Sequence, residues 1–219
     1  MEAVMQVDAR DRARFVRPQE PQSRLRALGV RVAGRPERVL VGDGVVAVHA
    51  VYPRTGRPSH VGFEVFDLRD GASEGWRLMQ PLSRHAVDAR SQVDGMRFSA
   101  RPPRQTGFNR RLVASFTDRV LLEGRFELLS GFVVPELIQH DPELGAGRAG
   151  LGATLARAQL VYRSRLLIVA DGAFVLTVCA GTSGGREATL CDLYRVQQSM
   201  IAEHWDVIAP PAADPVAVA

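Results

Sequence analysis

Hydrophobic positions in the second half of the chain fall into four runs, about 160–169, 173–180, 187–196 and 200–208, separated by short polar breaks. Runs of this length, rich in Val, Leu, Ile and Tyr and bounded by turn residues, predict β-strands joined as an antiparallel meander. Asp171-Gly172 marks the first break, and Asp-Gly between apolar runs is a strong hairpin signal. The same pattern occurs earlier: "RVLVGDGVVAVHAVYP" (38–53) is broken at Asp43-Gly44, and "EVFDLRDGASEGWRLMQP" (64–81) follows. Ahead of the later meander, "NRRLVASFTDRVLLEGRFELLSGFV" (109–133) spaces Leu112, Phe116 and Val120 as a helix does, and a second helix is predicted around 148–159. Helices leading into hairpin-connected strands give an α+β class.

The two patterned regions resemble each other. Asp43 and Asp171 are 128 residues apart, Trp76 and Trp205 are 129 apart, and one gap reconciles the two. "RFVRPQEPQSRLRALG" (14–29) also parallels "LIQHDPELGAGRAGLGATL" (137–155). The chain therefore reads as a degenerate tandem duplication. Its expected parts are a truncated first unit (1–82), a polar linker ending in Pro-Pro (83–107), a complete second unit (108–209) and a flexible Pro/Ala-rich tail (210–219). The first unit lacks most of the leading helix of the second.

Composition narrows the function classes. The calculated pI of 9.8 hints at nucleic acid, but every basic residue is arginine. Residues 1–104 carry 18 Arg against 12 acids, and residues 105–219 carry 10 against 12. The only adjacent pair is Arg110-Arg111, and no RNA-binding motif or zinc finger appears, so no nucleic-acid partner is expected. No apolar run approaches the ~20 residues that span a bilayer, and the charged N-terminus lacks a signal-peptide core. The expectation is a cytoplasmic protein with no membrane partner. Cys179 and Cys191 sit in apolar strands and read as buried small hydrophobes. There is no P-loop, dinucleotide fingerprint, nucleophile elbow or recognised metal-ligand spacing, so neither cofactor nor metal is expected.

Strand alternation sorts the candidate chemistry. In "DLYRV" (192–196), Asp192, Tyr194 and Val196 share one face. In "IAEHWDVI" (201–208), Ala202, His204, Asp206 and Ile208 share one face, with Ile201, Glu203, Trp205 and Val207 on the other. Trp205 has a counterpart in Trp76, whereas His204 has none, because Gly75 stands in its place. A residue kept in a degenerate copy points to packing, so Trp205 is expected on the inter-unit face and His204 and Asp206 on the interior face.

Three segments in order, "FVVPELIQHDPELGAGRAGL", "VADGAFVLTV" and "CDLYRV…IAEHWDVI", resemble the SnoaL-like branch of the nuclear transport factor 2-like superfamily. The nearest resemblance is to predicted aldol-condensation and polyketide cyclase-like proteins. The match covers about 108–209 well and 14–82 weakly. The resemblance implies cone-like units, each a curved antiparallel sheet wrapped around helices with a pocket inside. Where the family has Asn after its Gln-His pair, this chain has Asp141. In the first unit Val16, Glu64, Gly75 and Arg77 stand where His140, Asp192, His204 and Asp206 stand, which implies that this unit has lost any ancestral chemistry.

The resemblance also implies acid–base chemistry on a hydrophobic carbonyl compound, as in ketosteroid isomerase, whose pocket aspartic acid matches Asp192. A base takes a proton beside a carbonyl while donors hold the enolate oxygen, and a carboxylate in an apolar cone can serve near neutral pH. Asp192, His140 and His204 are the catalytic candidates. Tyr194, Asp206, Phe174, Tyr162 and Ile208 are the substrate-binding candidates. The implied function is a cofactor-independent cyclase, isomerase or lyase, in natural-product biosynthesis if the cyclase resemblance holds. The alternative is a non-catalytic small-molecule-binding or dimerisation module of the same fold. The expected partners are a hydrophobic small molecule and, within the chain, the other unit as a pseudo-dimer, with room for a further homodimer.

Overall fold

A computed structural model of the chain describes residues 21–69, 76–83, 91–97, 105–141, 144–157 and 159–211. Helix α1 (Pro21–Leu28) leads into β1 (Arg35–Gly42), β2 (Val45–Tyr52), β3 (His60–Asp67) and β4 (Trp76–Pro81). Helix α2 (Thr106–Phe116) continues through a π-turn (Thr117–Leu122) and a 3-10 turn (Phe126–Gly131) into β5 (Val133–Gln139). Helix α3 (Gly147–Ala156) then precedes β6 (Leu160–Asp171), β7 (Phe174–Ser183), β8 (Arg186–Gln197) and β9 (Met200–Ala209). The class is α+β. The helical lead expected over 109–133, with a break at Gly124, is divided into three pieces, and the helix expected near 148–159 ends at Ala156.

The strands form two sheets, β1-β2-β3-β4 and β5-β9-β8-β7-β6. Both meanders are antiparallel, and β5 joins the second sheet parallel to β9. Three extra residues bend the second sheet: Arg163 and Leu166 bulge from β6, and Ala202 bulges from β9. A bulge adds one unpaired residue and increases local twist, which curves the sheet around its helices. The bulge at Ala202 also corrects the alternation expected from sequence. Ile201 turns to the inner face with Tyr194 and Val196, while Glu203, Trp205 and Val207 keep to the outer face.

Each face of the second sheet is buried. On the inner face, Val175, Cys179, Leu190, Tyr194 and Val196 pack against Val113, Phe116 and Val120 of the helical lead and Leu151 and Leu155 of α3. On the outer face, Leu167, Leu176, Leu193, Trp205 and Val207 pack against Leu40, Ala47, Phe63, Val65 and Leu78 of the first sheet. Full burial of such side chains stabilises by about 1.5–3 kcal/mol each, so this sheet-on-sheet layer is a principal core. The other face of the first sheet carries Val46, Val48, Ala50 and Phe66 against Leu25 of α1.

Two sequence expectations change here. Phe174, expected in the pocket wall, lies in the layer between the sheets, with its ring 6.1 Å from Trp205. β7 is apolar on both sides, so nothing in its pattern marked which face looks inward. The segment expected as linker is not only a spacer: residues 91–97 are bound by side chains of both sheets. The stretches 1–20, 70–75, 84–90, 98–104 and 212–219, and with them Val16, Gly75, much of the expected linker and most of the expected tail, lie outside the described residues. Among the described residues no helix is long and apolar enough to cross a membrane.

Candidate active site

Asp192 stands in the middle of β8 on the inner face, 1% exposed. Its Oδ1 accepts the Tyr162 hydroxyl at 3.0 Å and lies 3.0 Å from His204 Nε2. Its Oδ2 is buried and has no hydrogen-bond partner among the described residues. Buried polar atoms are nearly always paired, so a buried carboxylate oxygen without a partner is a departure that asks for a reason.

The tautomer of His204 follows from its neighbours. β5 runs beside β9 with Gln139 opposite His204, so both point inward. Gln139 Oε1 accepts the backbone N–H groups of His140 (2.9 Å) and Asp141 (3.1 Å). That fixes the amide orientation and aims Nε2 at His204 Nδ1, 2.9 Å away. Gln139 Oε1 also lies 3.2 Å from Nδ1, but it already accepts two N–H groups; with the Asp192 carboxylate accepting at Nε2, the imidazole proton is assigned to Nε2 and Gln139 donates to Nδ1. The face of the imidazole stacks on Tyr194 (4.9 Å, 15°), whose ring is met edge-on by Phe116 (5.5 Å). His204 is thus held in plane by two hydrogen bonds and from the side by an aromatic ring.

Burial, and then the Asp192 charge, pushes the hydroxyls of Tyr162 and Tyr194 well above their ordinary range. Both stay protonated donors at any working pH. Asp206 stands directly opposite Asp192 in the β8–β9 pair, so two acidic side chains share one row of the inner face. Two residues further along, Ile208 lines a cavity of about 250 Å³ together with Asp141, Leu144, Thr154, Leu160 and Ser183. The cavity lies where β6, β7 and β9 meet α3, beyond Ile208 from the acidic row. Among the described residues no group of three or more His, Cys, Asp or Glu is arranged to hold a metal ion. Burial also pushes up both thiols, and Cys179 and Cys191 lie in the cores on opposite faces of the sheet.

The structure thus brings together Asp192, His204, Tyr162 and Tyr194, with Asp206 and Ile208 on the same face. It does not bring His140 to them. His140 follows Gln139 and faces outward, where its ring stacks flat on Trp205 (4.7 Å, 4°). Its Nε2 lies 2.9 Å from Glu203 Oε1, and its Nδ1 donates to the Ser91 carbonyl at 2.9 Å. The expected grouping of His140 with Asp192 is corrected for a simple reason: Gln139 and His140 are adjacent in an extended segment, so only one can look inward. Gln139 is the site residue that sequence reasoning passed over. The signal for it was the Gln-His pair itself, read with the alternation applied to β8 and β9.

No protein-family profile matches the chain, and no curated protein matches it. Solved structures do resemble part of it. A SnoaL-like polyketide cyclase from Agrobacterium tumefaciens is 19% identical, with a TM-score of 0.38 over 50% of this chain and 94% of that one. An LEH-like epoxide hydrolase from M. tuberculosis is 22% identical, with a TM-score of 0.39 over 48% and 84%. An NTF-2 like protein of unknown function from Burkholderia xenovorans is 14% identical, with a TM-score of 0.43 over 51% and 91%. At these identities and TM-scores the likeness carries no activity to this chain.

Proposed function

We propose that the second sheet and its helices form a cofactor-independent, SnoaL-like acid–base site acting on a hydrophobic carbonyl compound. The observation that carries this is the Asp192 carboxyl, with one oxygen held by Tyr162 and His204 and the other buried without a hydrogen-bond partner. Asp192 Oδ2 takes a proton from the carbon beside the carbonyl. The C–H electron pair becomes the C=C bond of an enolate, and the carbonyl π pair moves to oxygen. Tyr194, kept protonated by burial, is a donor on the same face for that oxygen. Returning the proton to a different carbon isomerises the substrate, and attack of the enolate on a second carbonyl closes a ring. Natural-product biosynthesis is where such ring closures are used.

The two sheets are proposed to descend from one duplicated unit, with the first truncated and packed as an intramolecular pseudo-dimer partner. Pairing register supports this. The row Val48–Glu64–Arg77 occupies the same place in the first meander as Thr177–Asp192–Asp206 in the second.

The test is deuterium uptake beside the carbonyl of hydrophobic cyclic ketones, α-tetralone among them, in D2O. The full chain should exceed the buffer rate, and Asp192→Asn should fall to it. Equal rates for the two proteins would overturn the mechanism. A second reading, a binding protein without chemistry, is favoured by one observation: the 250 Å³ cavity is lined by residues other than Asp192 and His204. It predicts ligand-dependent thermal stabilisation without exchange.

A further inference from the structure

Between the sheets lies a second polar cluster that the proposed chemistry does not use. Trp205 is its centre. The Arg38 guanidinium, from β1, lies 4.1 Å from the Trp205 ring centroid, and the His140 ring stacks on the same indole. Residues 91–97 close the cluster with main-chain oxygens. The Asp94 carbonyl accepts Trp205 Nε1 at 2.9 Å and also an Arg38 Nη2 proton, Met96 O accepts Arg38 Nε at 2.7 Å, and Ser91 O accepts His140 Nδ1. Glu203 then ties His140 Nε2 to Arg195 Nε, the latter at 2.5 Å. Gly95, with φ of +92°, presses against this pair: a Cβ there would lie 2.0 Å from Glu203 Oε1 and 3.0 Å from His140 Nε2.

This cluster adjoins the Asp192 site on two strands: Glu203 and Trp205 flank His204 on β9, and His140 follows Gln139 at the end of β5. The His140 side chain is fixed in the cluster, and the His140 backbone N–H, shared with the His204 carbonyl at 3.0 Å, is one of the two that orient the Gln139 amide. The amide, together with the Asp192 carboxylate that accepts from Nε2, sets which His204 nitrogen carries the proton. We infer that His140, Glu203 and the 91–97 segment, braced by Arg38 of the first sheet, are positioning elements that set the pose and tautomer of His204 through Gln139. The first sheet, which carries no counterpart of the His204–Asp192 pair among its described residues, would then be a working part of the site on the second. This rests on the reading of Asp192 and His204 as the reacting pair.

The test needs no substrate. In the full chain labelled with ¹⁵N-histidine, long-range ¹H–¹⁵N spectra report which ring nitrogen of His204 is protonated, and loss of its signals in His204→Gln assigns them. The wild-type protein should show Nε2 protonated. Glu203→Gln releases His140 from inside the cluster, and Gly95→Ala displaces the 91–97 segment from outside. Both should move His204 toward a mixture of tautomers while the backbone spectrum stays folded. Where ketone exchange is measurable, its rate should fall about 10–100-fold, the scale on which orienting partners of a functional histidine act. Wild-type tautomer signals in both folded variants would overturn the inference. If Glu203→Gln does not fold, Gly95→Ala alone decides. A wild-type His204 protonated on Nδ1 would instead sink the site geometry from which the proposed function starts.

Discussion

Replacing Asp192 by asparagine should abolish the proposed chemistry and make the protein more stable. Asp192 and Asp206 are directly opposed across β8 and β9, and side chains so placed have Cβ atoms about 4.5–5.5 Å apart. Two unit charges about 5 Å apart repel by roughly 3 kcal/mol at an effective dielectric constant near 20. Holding a carboxylate away from water with one oxygen unpaired adds a penalty of up to several kcal/mol. The asparagine carbonyl can still accept from Tyr162 and His204, but two charge-assisted hydrogen bonds become neutral ones, a loss of about 1 kcal/mol each. The balance favours the variant by about 1–3 kcal/mol. For a chain of this size that is a rise in melting temperature of about 2–10 °C. Urea and thermal unfolding of the two full-length proteins at neutral pH measure it. An asparagine variant less stable than wild type by 1 kcal/mol or more would refute the reasoning, because it would mean that Oδ2 is engaged and the carboxylate is a structural anchor.

Glu203 gives a pH test. Burial raises its pKa, but hydrogen bonds from His140 and Arg195 outweigh this and leave it below the ordinary 4.5. A carboxyl with a lowered folded-state pKa contributes stability above its unfolded value, and that contribution is lost as the pH falls through the folded value. The stability gap between wild type and Glu203→Gln should therefore be full, at about 1–3 kcal/mol, near neutral pH, and should close below pH 4.5. A gap that persists through acid would contradict this. The β8–β9 turn offers a simpler check. Gln198 and Ser199 both have positive φ, 48° and 62°, a conformation costing non-glycine residues about 1 kcal/mol or more. Ser199→Gly should stabilise by about 0.5 kcal/mol after its own entropy cost, read as a higher urea midpoint at unchanged slope.

Local patterns carried much of the fold, and the inward row of the site was legible wherever strand alternation could be anchored. The two meanders follow from apolar runs and turn signals. Trp205, a large aromatic matched by Trp76 in the earlier patterned region, placed its own face toward the other sheet and so assigned His204 to the interior. Three placements failed where information came from farther away. Ile201 changed faces because β9 takes an extra residue at Ala202, and nothing local announces a bulge. Phe174 could not be assigned because its strand is apolar on both sides. His140 depended on the parallel pairing of β5 with β9 across more than sixty residues, which local patterns do not reveal. The cluster around Arg38 was hidden for the same reason. It unites β1, β5, β9 and the segment expected as linker.

The two sheets also argue that the acidic row is not demanded by the architecture. In the first meander the acid in this row is Glu64, and the residue opposite it on the last strand is Arg77. Glu64 Oε1 accepts Arg77 Nε at 3.1 Å, and Oε2 accepts Tyr52 Oη at 3.3 Å and the Ala33 amide at 3.2 Å, so both oxygens are occupied. In the second meander the same row places Asp206 where the arginine stands, and Asp192 keeps an oxygen open. An equivalent sheet position can therefore hold a fully satisfied acid, at lower electrostatic cost. A buried carboxylate oxygen without a partner, where the matching row of the first sheet has both oxygens occupied, is one that stability alone does not explain, and such departures concentrate at functional sites. Asp206→Arg should rebuild the Glu64–Arg77 pairing around Asp192, raising the melting temperature and ending ketone exchange together. A variant that gained stability and kept exchange would show that the open oxygen of Asp192 is not where the proton goes.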